Sequence, residues 1–213
     1  MTADMSRLTA AIAGASGTGS IINEAFGRLG LGKIITVDPQ SVERKNLNRI
    51  ANATAKDAAE DTPKVEVSRA VSAMGLGTET FPVPENLVSR KAVMAIAEAD
   101  VLVGGVDSAE GRDVMNRICS AYMIPFIDMG VRIRALEDGT IDTIECAVHY
   151  VKPGGSSLLS REAYTVAQVT ADAMRRQNPA LCRTRPREVH RRGRRGDAGR
   201  DQREHDGCLD GGE

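Results

Sequence analysis

A short glycine-rich segment near the start of the chain restricts the fold more than any other feature. Residues Ile12 to Gly30 read IAGASGTGSIINEAFGRLG, an apolar run followed by three glycines and a helix-forming stretch. Glycine permits positive φ and a close approach of backbone to phosphate, and the following helix N-terminus offers unpaired N–H groups. Gly14, Gly17 and Gly19 are therefore predicted to form a phosphate-binding turn. The alternative is a tight strand-to-helix turn that binds nothing.

Apolar runs and helix-forming stretches alternate along the chain. The predicted strands are LTAAIAG, KIITVD, TETFPV, DVLVGGVD and IPFIDMG. The predicted helices are residues 18–29, TPKVEVSRAVSAMG with Thr62 as its N-cap, NLVSRKAVMAIAEA, and AEGRDVMNRICSAYM capped by Ser108. This alternation predicts an α/β fold with a Rossmann-like, doubly wound and mostly parallel sheet.

The pattern changes after the fifth predicted strand. The segment VRIRALEDGTIDTIECAVHYV contains two β-like runs around Asp138-Gly139, which is a hairpin signal. We therefore expect an antiparallel extension of the sheet at this point. One or two helices are predicted in SREAYTVAQVTADAMRRQ.

Composition excludes several classes of protein. The net charge of -1 and the lack of tryptophan do not favour binding to nucleic acid or to an anionic membrane surface. No run approaches the roughly 18 apolar residues of a membrane span. The four cysteines stand singly, without a C-x-x-C pair, so neither a zinc site nor a disulfide framework is expected. A cytoplasmic protein is predicted.

Composition also divides the chain into two parts. Residues 1–180 are predicted to form one nucleotide-binding domain. Residues 181–213 are rich in Arg, Asp, Glu and Gly, and are predicted to be a disordered tail. A further hypothesis is a change of reading frame near Leu181 or Cys182. With chosen codons, residues 198–213 read one base later give an apolar strand and helix. Binding of nucleic acid by the basic run is a weaker alternative.

Polar residues after the second predicted strand bear on the kind of nucleotide. Asp38 lies about twenty residues beyond the glycines, where a carboxylate binds ribose hydroxyls or caps a turn. Asn46, Asn48, Arg49 and Lys64 follow it. Arg and Lys neutralise phosphate charge, and Asn donates hydrogen bonds to phosphate oxygens. This set favours ATP over NAD, although Arg49 or Lys64 alone would more often be a solvated surface charge.

A second carboxylate follows another parallel strand. Asp107 lies at the end of DVLVGGVD, and ligands of such sheets bind outside the carboxyl ends of the strands. One carboxylate there can hold Mg²⁺ that bridges phosphates. The alternative is that Asp107 caps the next helix, a role for which Ser108 competes.

These motifs together resemble a known family. Residues 8–135 are similar to the adenylation domain of E1-like ubiquitin-activating enzymes and their ThiF/MoeB/HesA relatives. The resemblance rests on GASGTGS, VDPQSVERKNLNRI, TPKVE and GGVDSAEGRDVMNR followed by IPFIDMGV. The most specific of these motifs is the Asp followed by a polar link and Asn-Leu-Asn-Arg. No Gly-Lys-Ser/Thr follows the glycine loop, so the segment is not a Walker A motif.

The resemblance implies an activity and a role for each residue. The glycines would hold ATP, Asp38 the ribose, and Asp107 a Mg²⁺ ion. Asn46, Arg49 and Lys64 would contact the triphosphate, with Arg49 and Lys64 stabilising charge at the α-phosphate. The family adenylates the C-terminal carboxylate of a small ubiquitin-like or sulfur-carrier protein ending in Gly-Gly. The resemblance also implies a homodimer.

The chain departs from the family pattern at several positions. Ser16 and Gln40 replace a common glycine and a common acidic residue. Ser156 and Ser157 stand where some relatives have a cysteine, and the N-terminal Arg segment of many relatives is missing. A catalytically inactive or truncated nucleotide-binding relative is therefore one alternative. An NAD-dependent oxidoreductase is another, but it leaves Asn46, Arg49 and Lys64 unexplained.

Overall fold

The chain folds around a six-stranded sheet in a computed structural model that describes residues 4–136 and 139–178. The strands are β1 (Thr9–Ala13), β2 (Lys33–Val37), β3 (Glu79–Val83), β4 (Val101–Gly104), β5 (Phe126–Ala135) and β6 (Ile141–Val151). Their order across the sheet is β3-β2-β1-β4-β5-β6. Neighbouring strands are parallel from β3 to β5, and β6 is antiparallel to β5. The predicted doubly wound sheet and its antiparallel extension are confirmed.

Helices cover both faces of the parallel part of the sheet. They are α1 (Gly17–Leu29), α2 (Ala55–Ala59), α3 (Arg69–Ala73), α4 (Arg90–Ile96), α5 (Ala109–Tyr122) and α6 (Val166–Gln177). Short 3-10 helices occupy Met5–Arg7, Arg44–Asn46 and Lys64–Ser68. No helix in the described ranges is long and apolar enough to cross a membrane.

The central strand β1 is buried on both faces. Residues Ala10 to Ala13 expose no surface, as expected for a continuous apolar run in a parallel sheet. One face packs in a cluster with α4 and α5 that includes Leu102, Met115 and Phe126. The other packs in a smaller cluster around Ile12 with α1 and α3.

The order in which strands are added to the sheet reverses at β1, which has β2 on one side and β4 on the other. The loops that leave β1 and β4 meet at this point. The Gly105 N–H donates to the carbonyl oxygen of Ala13 at 2.9 Å. A Cβ added at Gly14 would lie 2.9 Å from the carbonyl oxygen of Gly105. A doubly wound sheet binds ligands at such a switch point, so the fold brings the glycine loop beside the loop that carries Asp107.

The predicted fifth strand and the first half of the predicted hairpin form one continuous strand, β5. Its N-terminal part pairs with β4 and the whole strand pairs with β6. Alternate residues of the hairpin face one side, and the side chains there are apolar and more than half exposed. They include Val131, Ile133, Ile144, Val148 and Tyr150.

The prediction of one helix over TPKVEVSRAVSAMG, capped by Thr62, is wrong. A 3-10 helix (Lys64–Ser68) runs directly into α3, and Pro63 occupies the N-cap position with ψ of 134°. The Thr62 carbonyl accepts the Val42 N–H at 2.8 Å, and Ser41 and Pro63 form an isolated antiparallel bridge. These backbone contacts hold residues 62–63 extended, so the helix starts later.

Other predicted ends hold or shift slightly. Gly30 ends α1 in the left-handed conformation, and Ser108 caps α5 by accepting the Gly111 N–H at 3.1 Å. Helix α4 begins at Arg90, four residues later than predicted from Asn86. The predicted tail (181–213) and the hypothetical frame change lie outside the described residues.

Candidate functional site

The glycine loop is held in shape by contacts that exclude larger residues. Gly14 has φ of +93°, and its N–H donates to the Val37 carbonyl at 2.8 Å. A Cβ added at Gly19 would overlap the carbonyl oxygen of Gly14. Gly17 differs, because its Cβ would make only an ordinary contact 3.5 Å from Cδ of Arg49. Gly14 is thus required by its positive φ and by the adjoining loop after β4, and Gly19 by the packing of α1 against the glycine loop.

Asp38 connects the glycine loop to the end of β2. Its side chain is buried, with Oδ2 accepting the Ala15 N–H and Oδ1 the Gln40 N–H, each at 2.8 Å. This is the turn-capping role that the sequence left open. Each carboxylate oxygen retains a lone pair, so the capping role is compatible with binding of a ribose hydroxyl.

Lys64 is a buried lysine beside the glycine loop. Only 5% of its surface is exposed, and its Nζ donates to Oε1 of Gln40 at 2.7 Å. Gln40 is uncharged, and among the described residues no carboxylate forms an ion pair with Lys64. A small cleft is lined by Lys64, Ala15 of the glycine loop and Ser20 of α1. The site therefore presents a buried positive charge next to the loop, with no carboxylate in direct contact among the described residues.

Arg49 lies on the exposed side of the same site. Its Nη1 donates to the carbonyl of Lys45 at 2.9 Å and to Oδ1 of Asn48 at 3.1 Å, and its aliphatic stem lies against Gly17. The positive charges around the loop lower the pKa of the exposed Glu43 side chain. Its pKa is held below the usual range, first by a hydrogen bond with Lys45 and further by the charges of Lys64 and Arg49.

Asn46 has a structural role in the described conformation. It is 2% exposed, and its Oδ1 accepts the N–H of Glu43 at 3.1 Å. This bond belongs to a reciprocal cap of the 3-10 helix Arg44–Asn46. Asn46 therefore holds the segment that carries Arg49, whatever contact it makes with a nucleotide.

Asp107 lies three residues beyond β4 with an exposed side chain. Ser108 is the N-cap of α5, so the alternative capping role of Asp107 is not used. The described residues contain no group of three or more His, Cys, Asp or Glu that could hold a metal ion. A single exposed carboxylate suits Mg²⁺, which is commonly bound by one or two carboxylates together with substrate phosphates.

A partly buried ion pair lies at the same edge of the sheet and was not predicted from the sequence. Arg112 of α5 donates from Nε to Oδ1 of Asp128 at 3.2 Å, and Asp128 is 1% exposed. Burial raises the pKa of Asp128, against the opposing charges of Arg112 and His149. Asp128 lies at the end of the parallel part of β5, and Asp38 directly follows β2. A carboxylate at the end of a parallel strand was therefore the signal by which the sequence could have indicated Asp128.

Fold and site together define a Rossmann-like α/β domain with a glycine loop at its switch point. The chain belongs to the ThiF family, whose profile matches residues 2–185. The predicted family is confirmed.

Two curated relatives activate ubiquitin-like modifiers or SAMP, according to their names. Ubiquitin-like modifier-activating enzyme 5 of Caenorhabditis elegans is 28% identical over 158 residues, which are 68% of this chain and 35% of that enzyme. SAMP-activating enzyme E1 of Haloferax volcanii is 30% identical over 118 residues, which are 54% of this chain and 43% of that enzyme.

Solved structures of MccB from E. coli share the fold. The structure with AMPCPP and MccA has a TM-score of 0.60 and 17% identity, and the match covers 81% of this chain and 49% of MccB. The structure with ATP has a TM-score of 0.55 and 20% identity, covering 70% of this chain and 42% of MccB. The chain thus spans between a third and a half of the length of these relatives.

Proposed function

We propose that the chain is an ATP-dependent adenylyltransferase that acts on the C-terminal glycine carboxylate of a small ubiquitin-like or sulfur-carrier protein. The observation that carries the proposal is the pair of cations at the glycine loop. Lys64 is buried there and paired only with an uncharged amide, and the stem of Arg49 lies against Gly17. A triphosphate supplies the negative charge that this arrangement lacks.

The proposed reaction needs no covalent enzyme intermediate. The loop and the N-terminus of α1 bind phosphate oxygens through backbone N–H groups, and Asp38 accepts a hydrogen bond from the ribose. The carrier carboxylate attacks the α-phosphorus, and the bond from that phosphorus to the bridging oxygen breaks. The products are an acyl-adenylate and pyrophosphate. Lys64 and Arg49 stabilise the charge that develops on the α-phosphate.

We assign Mg²⁺ to Asp107. Its carboxylate is exposed at the edge of the sheet, on the loop that adjoins Gly14. Bound there, Mg²⁺ would neutralise phosphate charge and assist departure of pyrophosphate.

No zinc requirement is expected. The cytoplasmic location remains a prediction.

Exchange of labelled pyrophosphate into ATP tests this function. We expect exchange only when the protein is mixed with a ubiquitin-like protein ending in Gly-Gly from the same genome. Deleting the last glycine of that carrier should abolish exchange, because the attacking carboxylate is then misplaced. ATP binding without exchange for any such carrier would contradict the proposal and indicate a non-catalytic nucleotide-binding relative.

We propose further that a second copy of the chain covers the apolar face of the β5–β6 hairpin. The edge strand β6 has eleven residues and contains neither Lys nor Pro, whereas the opposite edge strand, β3, has five residues and contains Pro82. Long unprotected edges are prone to pair with another strand. Edge pairing alone leaves both apolar faces on the same side of one sheet, whereas face-to-face packing of two hairpins around a two-fold axis buries both of them.

Sedimentation measurements on two matched variants test the dimer. Ile144→Lys places a charge on the apolar face, whereas Thr143→Lys changes the neighbouring residue on the opposite face. We expect the unmodified chain and Thr143→Lys to be dimers and Ile144→Lys to be a monomer. A monomeric unmodified chain, or equal effects of the two variants, would contradict the arrangement.

A further inference from the structure

The segment that carries Arg49 is joined to α1 by one buried hydroxyl. The N–H of Ala51 donates to Oγ of Ser20 at 2.9 Å. The same hydroxyl donates to the carbonyl of Gly17 at 3.1 Å. Ser20 is 7% exposed and lies in the first turns of α1. Its single hydroxyl thus connects the start of the helix, at the glycine loop, with the residue two positions after Arg49.

The rest of the segment is held mainly by local bonds. The N–H groups of Arg49 and Ile50 donate to the carbonyl of Asn46 at 3.0 and 3.1 Å. Ile50 is buried and anchors the segment in the core, and Asn52 makes an exposed contact with Glu24 at 3.3 Å. Burial of Ile50 fixes the segment loosely, since apolar packing is not directional. Of the two hydrogen bonds that join the segment to α1, the bond to Ser20 is the shorter, the less exposed and the nearer to Arg49.

The orientation of the Ser20 hydroxyl follows from its two partners. Because its proton points to the Gly17 carbonyl, a lone pair faces the N–H of Ala51. Gly17 is also the residue against which the Arg49 stem packs. The hydroxyl therefore sets the separation between the Arg49 stem and the first turn of α1.

We propose that Ser20 is a positioning residue of the nucleotide site, which acts on the nucleotide through Arg49 by holding it against the glycine loop. This inference rests on the proposed function. Loss of the hydroxyl leaves the Ala51 N–H without its partner, and the segment shifts while Ile50 remains buried. Arg49 then loses its place beside the phosphates, and affinity for ATP falls.

A double-mutant cycle on calorimetric affinity for Mg–ATP tests the coupling. We expect Ser20→Ala to weaken binding by at least about threefold, and the Ser20→Ala, Arg49→Ala double variant to bind no more weakly than Arg49→Ala alone. Ser20→Thr keeps the hydroxyl and should restore affinity. Additive losses for Ser20→Ala and Arg49→Ala would overturn the proposal.

Ser72 provides the matched control. Its hydroxyl accepts the N–H of Thr80 at 2.9 Å and so joins α3 to β3 in the way that Ser20 joins the Arg49 segment to α1. Ser72→Ala should leave affinity for Mg–ATP unchanged. An equal loss of affinity in Ser72→Ala would show a general effect of packing and overturn the positioning role.

Amide hydrogen exchange separates this inference from the proposed function. In Ser20→Ala the Ala51 amide should exchange about tenfold faster, with or without ATP, because its hydrogen bond is gone. Unchanged exchange would overturn the inference even if ATP binds. Faster exchange in a chain that does not bind ATP would refute the proposed function and leave the anchoring role of Ser20 established.

Discussion

Replacing Asp38 by Asn tests whether the glycine loop is held by a buried carboxylate. The carboxylate accepts two backbone N–H groups, at Ala15 and Gln40. An amide offers one acceptor oxygen, which will face the buried N–H of Ala15 and leave the exposed Gln40 to water. One charge-assisted bond becomes neutral and the other is lost, so we expect a loss of about 1–3 kcal/mol in the free energy of unfolding.

Asp100→Asn is the matched control for this prediction. Its Oδ2 accepts the N–H of Thr9 at 2.8 Å in an exposed position. The amide can still accept that bond and water reaches it, so a loss below about 1 kcal/mol is expected. Urea denaturation measures both values, and melting temperature should fall by about 2–4 °C per kcal/mol. Equal losses for the two variants would refute the role assigned to burial at Asp38.

Three further predictions follow from packing and charge. Gly19→Ala should lower the free energy of unfolding by about 1–3 kcal/mol, because the added Cβ overlaps the backbone of the glycine loop. Gly17→Ala should lower it by less than about 1 kcal/mol, because its Cβ makes only an ordinary contact. Urea denaturation measures both values. The raised pKa of Asp128 makes folding favour its protonated form. Relative to Asp128→Asn, the unmodified chain should therefore lose stability as pH rises from the ordinary Asp pKa through the raised one, and parallel pH curves would contradict this. Arg176→Gln removes an ion pair with Glu110 at 2.9 Å. It should cost at most about 1 kcal/mol and speed proteolysis within α6, and unchanged digestion would count against docking of α6 through this pair.

The sheet could be predicted because its strands are marked by uninterrupted apolar runs. Residues 10–13 and 34–37 are buried on both faces of the sheet, and apolar runs of this kind between helical stretches are typical of parallel strands. The hairpin was equally visible in its alternating pattern around Gly139, which adopts φ of +84°. These patterns lie within single elements of the chain, so they can be recognised in one sequence without knowledge of distant contacts.

Features that depend on distant contacts could not be predicted. The 3-10 helix at Lys64 arises because Thr62 bonds to Val42, twenty residues earlier along the chain. For the ion pair of Arg112 and Asp128, the sequence signals a carboxylate at the end of a parallel strand, but it does not show which helix residue pairs with it. The sequence correctly predicted that the glycine loop and Lys64 lie close together. For Asp38 the sequence offered a turn-capping role but did not show that one of the two N–H groups it accepts belongs to Ala15 of the glycine loop.

Calorimetric titration with Mg–ATP and, separately, with NAD⁺ is the direct test of whether the glycine-loop site binds ATP. Lys64→Ala removes the buried charge beside the glycine loop, and Lys91→Ala removes an exposed lysine paired with Glu85. We expect binding of ATP but not of NAD⁺, with affinity for ATP weakened in Lys64→Ala and unchanged in Lys91→Ala. Binding of NAD⁺ in preference to ATP, or equal affinity for ATP in all three proteins, would contradict this expectation.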